Sequence, residues 1–277
     1  MRRALVRGAE LHFEFHGAGH PVLLIHGTVL ADSMLPLSQQ SALTERHLVI
    51  RYHRRGYGNS SRIDMPWSVE QHALDAAELL DHLGITRAHI VGHSAGAAVA
   101  LELALDFPNL VSSLVLMELG LDAAPSAGTF RTETARALAR YERGENAAAV
   151  DDLLAALGGP DYRRVAESAL PQLPILTAVR DAETVFVREL PALGIWEMSQ
   201  SLASRLSPPV LLVTGAATQP IFTESQRLLS DWCAETLAET AVIPGAGHAL
   251  HMCSPAQVAT IIARFLRRRQ AGLSVSA

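Results

Sequence analysis

Residues 88–105 read AHIVGHSAGAAVALELAL, a short apolar run followed by the turn Gly92-His93-Ser94-Ala95-Gly96 and a helix-forming stretch. This is the G-x-S-x-G pattern in the strand, turn and helix setting in which it carries a nucleophilic serine. Small residues on both sides of Ser94 allow a turn too sharp for bulky side chains. The following helix points its N–H groups and the positive end of its dipole at the same place. The alternative is a close-packed turn without chemistry, but the flanking strand and helix favour a nucleophile.

The composition is that of a globular protein. The chain has 277 residues, 49% of them hydrophobic, which is enough for one large α/β domain. A formal net charge of -5 argues against a general affinity for nucleic acid, and we expect the basic clusters Arg2-Arg3, Arg54-Arg55 and 267–269 to be solvated surface. Two cysteines, no apolar run of membrane-spanning length and no apolar segment after the basic N-terminus predict a soluble, cytoplasmic protein.

Short apolar runs recur along the chain and alternate with helical patterns. We predict strands at residues 4–6, 11–15, 21–25, 48–52, 88–91, 114–117, 209–214 and 240–243, and helices at 68–83, 95–106 and 255–269. The first two strands have the spacing of an antiparallel hairpin. The later alternation predicts an α/β fold, with a mostly parallel central sheet flanked by helices and ligands bound outside the carboxyl ends of the strands.

Residues 122–206 have a different pattern. Their alanine- and leucine-rich helical spacing is broken by several prolines and by Gly158-Gly159-Pro160, and no convincing strand occurs. We therefore predict a helical cap at 122–206, inserted between a first part of the core at 1–121 and a second part at 207–277.

A serine nucleophile needs a base, and the base needs a group that orients it. The best candidate among 12 histidines is His248, which follows Pro244-Gly245-Ala246-Gly247 after the last predicted strand. From that loop its imidazole could reach Ser94 across the ends of the strands, and its place in the chain fits the order serine, acid, histidine. His251 is the alternative base, and it fits a structural role better.

A second loop supplies candidates for an oxyanion hole. His26-Gly27-Thr28 follows the strand at 21–25, so the backbone N–H of Thr28 and that of Ala95 could converge on the oxygen of a tetrahedral intermediate. We expect His26 itself to anchor the loop.

These motifs, together with the loop Arg55-Gly56-Tyr57-Gly58-Asn59-Ser60, resemble the α/β-hydrolase superfamily over nearly the whole chain outside the cap. The resemblance implies the α/β-hydrolase fold with its helical cap inserted after strand 6. Members that act as haloalkane dehalogenases or epoxide hydrolases use an aspartate nucleophile, so Ser94 argues against both activities.

The chain departs from the superfamily at the triad acid. The usual aspartate lies in a G-x-x-D pattern after the strand before last, and here that stretch reads Gly215-Ala216-Ala217-Thr218. Some members carry the acid one strand earlier, which implies Glu118, directly after the strand at 114–117. Glu118 combined with Thr218 resembles the zearalenone lactone hydrolases locally. Asp122 and Glu224 are the alternative acids, and a solvated carboxylate is the alternative role for Glu118.

The cap should decide which substrate binds. Apolar side chains near its return to the sheet are candidates for a substrate pocket, although they could equally form the cap core: Phe186, Leu193, Ile195, Trp196 and Met198. The low charge of this stretch favours an apolar, uncharged substrate. No cluster has metal-ligand spacing and no glycine pattern fits a nucleotide, so we expect neither a metal nor another cofactor.

The resulting hypothesis is a cofactor-free serine hydrolase that cleaves a carboxylic ester or lactone of an apolar small molecule. We expect no nucleic-acid or membrane partner, and the sequence leaves the oligomeric state open. Two alternatives remain. One is a cofactor-free perhydrolase or haloperoxidase with the same triad, and the other is a non-catalytic ligand-binding protein that has kept the fold.

Overall fold

A computed structural model of the chain describes residues 1–62, 67–171, 173–233 and 238–273. Within these ranges eight strands form one sheet: β1 (Arg2–Val6), β2 (Ala9–His16), β3 (His20–Ile25), β4 (His47–Tyr52), β5 (Ala88–His93), β6 (Val111–Met117), β7 (Val210–Gly215) and β8 (Glu239–Ile243). Their order across the sheet is β1-β2-β4-β3-β5-β6-β7-β8. β2 is antiparallel to β1 and β4, and the remaining pairs are parallel. The predicted hairpin and mostly parallel sheet are confirmed.

The helices, in chain order, are α1 (Leu35–Ser38), α2 (Ser41–Thr44), α3 (Val69–His82), α4 (Ala95–Asp106), α5 (Ala127–Glu142), α6 (Asn146–Gly158), α7 (Tyr162–Ala169), α8 (Pro174–Arg180), α9 (Leu190–Ile195), α10 (Gln200–Ala203), α11 (Pro220–Trp232), α12 (Leu250–Cys253) and α13 (Pro255–Leu273). A π-helical segment, Thr184–Glu189, lies between α8 and α9. In the part of the chain that the structure describes, no helix is both long and apolar enough to cross a membrane.

Helices cover both faces of the sheet, as predicted. On one face α3 and α4 bury side chains such as Leu79 and Leu101 against the strands. On the other face α13 packs with α1 and α2 through Leu37, Leu43 and Ile262. Because the central parallel strands are covered on both sides, they are almost entirely buried and mainly apolar.

The start of α3 and the end of α4 follow from local sequence. Ser68 accepts a hydrogen bond from the backbone N–H of Gln71 at 3.3 Å, which satisfies one of the free donors at the start of α3. α4 ends at Asp106, two residues before Pro108, which lacks the N–H that a further helical turn would need.

The segment between β6 and β7 is helical, and no strand occurs in its described residues. Its helices enclose a core of their own around Leu153, Leu154 and Phe186. This core continues into the loop after β4 through Tyr57 and into α11 through Phe222. The domain limits at 121/122 and 206/207 stay a prediction.

One expectation about the surface is wrong. Arg54 is completely buried, and its neighbour Arg55 is mostly buried beside Asp75, which lies 2.7 Å away. Two adjacent arginines after a strand suggest a solvated loop, but here each guanidinium meets a buried carboxylate. Sequence alone did not reveal either partner.

Candidate active site

Ser94 lies at the sharp turn between β5 and α4. Its φ of 53° and ψ of -122° belong to a region that residues with a side chain rarely occupy. The flanking glycines are required by close backbone contacts. A Cβ on Gly92 would lie 2.2 Å from the carbonyl oxygen of Gly96, and a Cβ on Gly96 would lie 2.3 Å from that of Ile25. The turn is therefore held in its strained form by the two backbones packed against it.

The register of the sheet brings Ser94 and Glu118 to the ends of neighbouring strands. His93 pairs with Met117 across β5 and β6, so each candidate is the next residue after the pair. The N–H of Ser94 donates to the carbonyl of Met117 at 2.9 Å. Glu118 has φ of 54° and donates its own N–H to Val213 at 3.0 Å. Both residues leave the sheet in strained conformations that hydrogen bonds to the adjacent strand fix in place.

Glu118 is buried and contacts His248 directly. Its Oε2 lies 3.1 Å from Nδ1 of His248. The other oxygen, Oε1, accepts the N–H of Gly215 at 2.6 Å, and the hydroxyl of Thr218 donates to Oε2. An ionised carboxylate can only accept hydrogen bonds, so this contact assigns a proton to Nδ1, and in the neutral imidazole the lone pair is then on Nε2. Thr218, which stands where relatives of the fold usually carry the acid, therefore serves as a donor to the acid.

The two alternative acids lie elsewhere. Asp122 is exposed and pairs with Arg131. Glu224 accepts the N–H of Ser126 at 2.8 Å and its hydroxyl at 2.6 Å, which ties α11 to the start of α5. Neither contacts His248 in the described structure, so Glu118 alone of the three candidate acids has the position of an orienting group.

His248 is buried within an aromatic and histidine cluster. The ring of Phe222 stacks on it with 4.2 Å between centroids, and Nε2 of His93 donates to its backbone carbonyl at 2.9 Å. His251 lies against His93, with 3.9 Å between ring centroids, and burial lowers the pKa of His251 to about 3. His251 is therefore a neutral packing residue. Neither of its ring nitrogens has a hydrogen-bond partner among the described residues, so no acid orients it as a base.

Thr28 and Ala95 border the same cavity as Ser94. Thr28 follows β3 on a loop whose next residue, Val29, has φ of 71°. Its hydroxyl lies 3.3 Å from the hydroxyl of Tyr57. Ala95 is the first residue of α4, where backbone N–H groups have no helical acceptor. Both predicted oxyanion donors are thus beside the candidate nucleophile.

The cavity above Ser94 measures about 160 Å³ and is mainly apolar. Of the five predicted pocket residues, Leu193 and Trp196 line it, whereas Ile195 is exposed on the surface. Phe186 and Met198 are not part of its lining. Phe186 stacks on Tyr141 inside the cap core, and Met198 is buried in the core of the sheet, so the structure does not support a substrate contact for either.

Sequence reasoning missed most of the lining. The additional apolar residues come from α5, α6, α9 and α11: Phe130, Leu153, Leu157, Leu190, Ile221 and Phe222. Their helical spacing marks a buried face, but this pattern is the same for a pocket wall and for a packed core. The described residues contain no group of three or more His, Cys, Asp or Glu side chains that could hold a metal ion.

Comparison with known proteins identifies the family of this sequence. The sequence profile of the alpha/beta hydrolase family matches residues 22–261. The putative carbamate hydrolase RutD of Azorhizobium caulinodans is 40% identical over 109 residues, which cover 39% of this chain and 41% of RutD. The putative carbamate hydrolase RutD of Caulobacter vibrioides is 37% identical over 122 residues, which cover 42% of this chain and 45% of that protein. The chain thus matches less than half the length of these curated relatives.

Solved structures share the fold over nearly the whole chain. A thermophilic esterase from Thermogutta terrifontis has a TM-score of 0.82 at 24% identity, covering 97% of this chain and 99% of the esterase. The enol-lactonase of Burkholderia xenovorans has a TM-score of 0.73 at 22% identity, covering 96% of this chain and 100% of the lactonase. Identities this low establish the fold alone, whereas the family profile extends over most of the sequence. The chain belongs to the alpha/beta hydrolase family.

Proposed function

We propose that this protein is a serine hydrolase that cleaves a carboxylic ester or lactone of an apolar small molecule through an acyl-enzyme. The observation that carries the proposal is the buried hydrogen bond between Glu118 and His248, 3.1 Å long, in a molecule whose strained Ser94 borders an apolar cavity. This arrangement favours catalysis over ligand binding alone, because a carboxylate that holds the imidazole proton on Nδ1 prepares Nε2 to act as a base.

The mechanism assigns one task to each group. Ser94 Oγ attacks the substrate carbonyl, and Nε2 of His248 takes the proton of Ser94 and returns it to the leaving alcohol. Glu118 holds the proton of His248 on Nδ1 and stabilises the imidazolium as it forms. The N–H groups of Thr28 and Ala95 donate to the developing oxyanion, and donors of this kind each contribute about 3–4 kcal/mol in hydrolases where they have been removed. Water then releases the acyl group by the same steps.

The size of the cavity limits the acyl group. About 160 Å³ is close to the volume of the apolar cavity that holds one benzene molecule in an engineered protein core. A single ring or a short branched chain would therefore fill it, and a long acyl chain would have to leave through the mouth. Asp122 and Arg131 border the cavity as an exposed ion pair, so the polar part of the substrate fits this side.

Purified protein and the Ser94→Ala variant should be assayed against p-nitrophenyl esters of rising acyl length, a panel of lactones, and a phenyl carbamate. The carbamate is included because RutD is named as a putative carbamate hydrolase. We expect turnover of short or ring-bearing acyl groups by the wild type and none by Ser94→Ala. Acceleration only when hydrogen peroxide is added would favour the perhydrolase alternative. Binding of these compounds without turnover of any would favour the non-catalytic one and refute the proposal.

A further inference from the structure

Arg54 is a buried cation beside the candidate oxyanion loop. It lies just after β4, and its side chain is 0% exposed. Its guanidinium packs over the ring of Tyr57 at 4.8 Å. Among the described residues, one nitrogen, Nη2, makes both hydrogen bonds of the guanidinium: it donates to the carbonyl of Gly27 at 2.9 Å and to Oε1 of Glu189 at 2.8 Å. Arg54 therefore links the loop after β3 to the cap.

The hydrogen bond from Arg54 to the carbonyl of Gly27 determines the direction of the N–H of Thr28. In a planar trans peptide the C=O of one residue and the N–H of the next point in opposite directions. Arg54 and Nδ1 of His26 both donate to the carbonyl of Gly27, the latter at 2.7 Å. The N–H of Thr28 must then point away from these two donors. Polarisation of the carbonyl by a cation also makes that N–H a stronger donor.

The second donor is itself fixed by Arg54. The backbone N–H of Arg54 donates to Nε2 of His26 at 3.0 Å, so the proton of the imidazole lies on Nδ1, which faces Gly27. Burial, followed by the charge of Arg54, lowers the pKa of His26 well below its usual value. His26 is therefore neutral and keeps this tautomer. The side chain and the backbone of Arg54 both act on one peptide group.

Glu189 fixes Arg54 from the cap. It ends the π-helical segment and is 0% exposed. The same stretch of the cap also binds the loop of Arg54 through other residues. Thr184 donates its hydroxyl to the carbonyl of Gly56 at 2.8 Å, and Asp181 accepts the N–H of Gly58 at 2.7 Å. The contact between cap and core thus includes the group that orients the oxyanion loop.

We propose that Arg54 is a positioning residue which, through the carbonyl of Gly27, aims the N–H of Thr28 into the oxyanion hole, while Glu189 of the cap holds Arg54 in place. This inference rests on the proposed function, because an oxyanion hole has a role only in acyl transfer. Cap docking and transition-state stabilisation are then coupled through one buried ion pair.

A purely structural ion pair makes a different prediction. Replacing a buried ion pair by apolar residues often leaves stability unchanged or raises it, whereas removing one partner leaves an unpaired buried charge. The double variant Arg54→Met/Glu189→Met should therefore restore the thermal stability that Arg54→Met loses. If the pair only stabilises the fold, the double variant should regain activity as well. If Arg54 positions Thr28, stability returns and activity does not. The loss of activity must then be the same in Arg54→Met, which keeps the interaction of Glu189 with the Thr28 side chain.

The experiment measures kcat and KM for the best ester on these two variants, together with Arg54→Lys and Glu189→Gln. Loss of one oxyanion donor typically lowers kcat about 10²–10³-fold, so a misdirected donor should lower it about 10–100-fold in both methionine variants, with KM within about threefold of wild type. Arg54→Lys should keep most of kcat, because a single nitrogen makes both contacts and an ammonium carries three donors. Glu189→Gln should lower kcat less than Arg54→Met, because its amide oxygen can still accept from Arg54.

A double variant with the melting temperature and kcat of the wild type would overturn the inference, and so would equal losses of kcat in Glu189→Gln and Arg54→Met. If the methionine variants do not fold, Arg54→Gln/Glu189→Gln replaces them, since its amides remove both charges and can still hydrogen-bond to each other. Its side chain at position 54 is too short to reach Gly27, so the same fall in kcat is expected and wild-type kcat would overturn the inference. Absence of turnover in the wild type would instead refute the proposed function.

Discussion

Glu118→Gln is the substitution that best separates the charge of the proposed acid from its shape. The side chain is fully buried and its two oxygens accept three hydrogen bonds, from Gly215, Thr218 and His248. Glutamine fills the same space but has one acceptor oxygen and one amide nitrogen that only donates. The NH₂ end of the glutamine must therefore face a group that is itself a hydrogen-bond donor.

Both orientations of the amide are unfavourable. If its oxygen faces His248, its NH₂ meets the N–H of Gly215, which donates at 2.6 Å in the wild type, and a buried bond is lost. If its NH₂ faces His248, Nδ1 must become the acceptor and the proton moves to Nε2. In that tautomer His248 has no lone pair with which to take the proton of Ser94. In either case the imidazolium loses its countercharge.

We expect kcat for a p-nitrophenyl ester to fall about 10²–10⁴-fold, by analogy with serine proteases in which the triad aspartate is replaced by asparagine. This corresponds to about 3–5 kcal/mol of lost transition-state stabilisation. Glu224→Gln is the matched control, because Glu224 binds Ser126 instead of His248, and its kcat should stay within about threefold of wild type. Wild-type kcat in a folded Glu118→Gln protein would show that Glu118 is not the triad acid.

Three further predictions concern neighbouring residues. Thr218→Asp in the Glu118→Gln background should restore part of the lost kcat, because position 218 already contacts the side chain at position 118. In the wild-type background, Thr218→Asp should instead lower thermal stability, because it places two carboxylates together. Trp196→Ala should shift the preferred acyl length upward in the ester panel, and Met198→Ala, an apolar change away from the cavity, should leave the ranking unchanged. Below pH 6.5 His251 is protonated in the unfolded chain but not in the folded protein, where its pKa is about 3, so acid destabilises the wild type. His251→Leu lacks this effect, and its free energy of unfolding in urea should fall by about 2 kcal/mol less between pH 7 and pH 5 than that of the wild type. An equal fall in both proteins would contradict the burial of His251.

The candidate triad could be predicted from the sequence because each member follows the carboxyl end of a strand, Ser94 and Glu118 directly and His248 in the loop after β8. In a parallel sheet these ends meet at one edge, so Ser94, Glu118 and His248 could be assigned to one region without a structure. The role of Thr218 was beyond this reasoning. Its residue type excluded a charge at the usual acid position, but its hydrogen bond to Glu118 depends on how the loop after β7 folds back.

The cap was harder to predict for a physical reason. A helix buries an apolar stripe whether it packs against a core or lines a cavity, so Phe186 and Trp196 look equivalent in sequence. The pair of Arg54 and Glu189 joins residues 135 positions apart, and composition rules favour exposed positions for both. Burial of such a pair is set by tertiary contacts that no local pattern encodes.

Covalent labelling tests the central claim most directly. The wild type and Ser94→Ala should be treated with a fluorophosphonate, whose tetrahedral phosphorus adduct mimics the transition state of acyl transfer, and analysed by intact-protein and peptide mass spectrometry. The account predicts one adduct per wild-type chain, located on Ser94, and none on Ser94→Ala. An unlabelled wild type, or equal labelling of the two proteins, would contradict a nucleophile at Ser94.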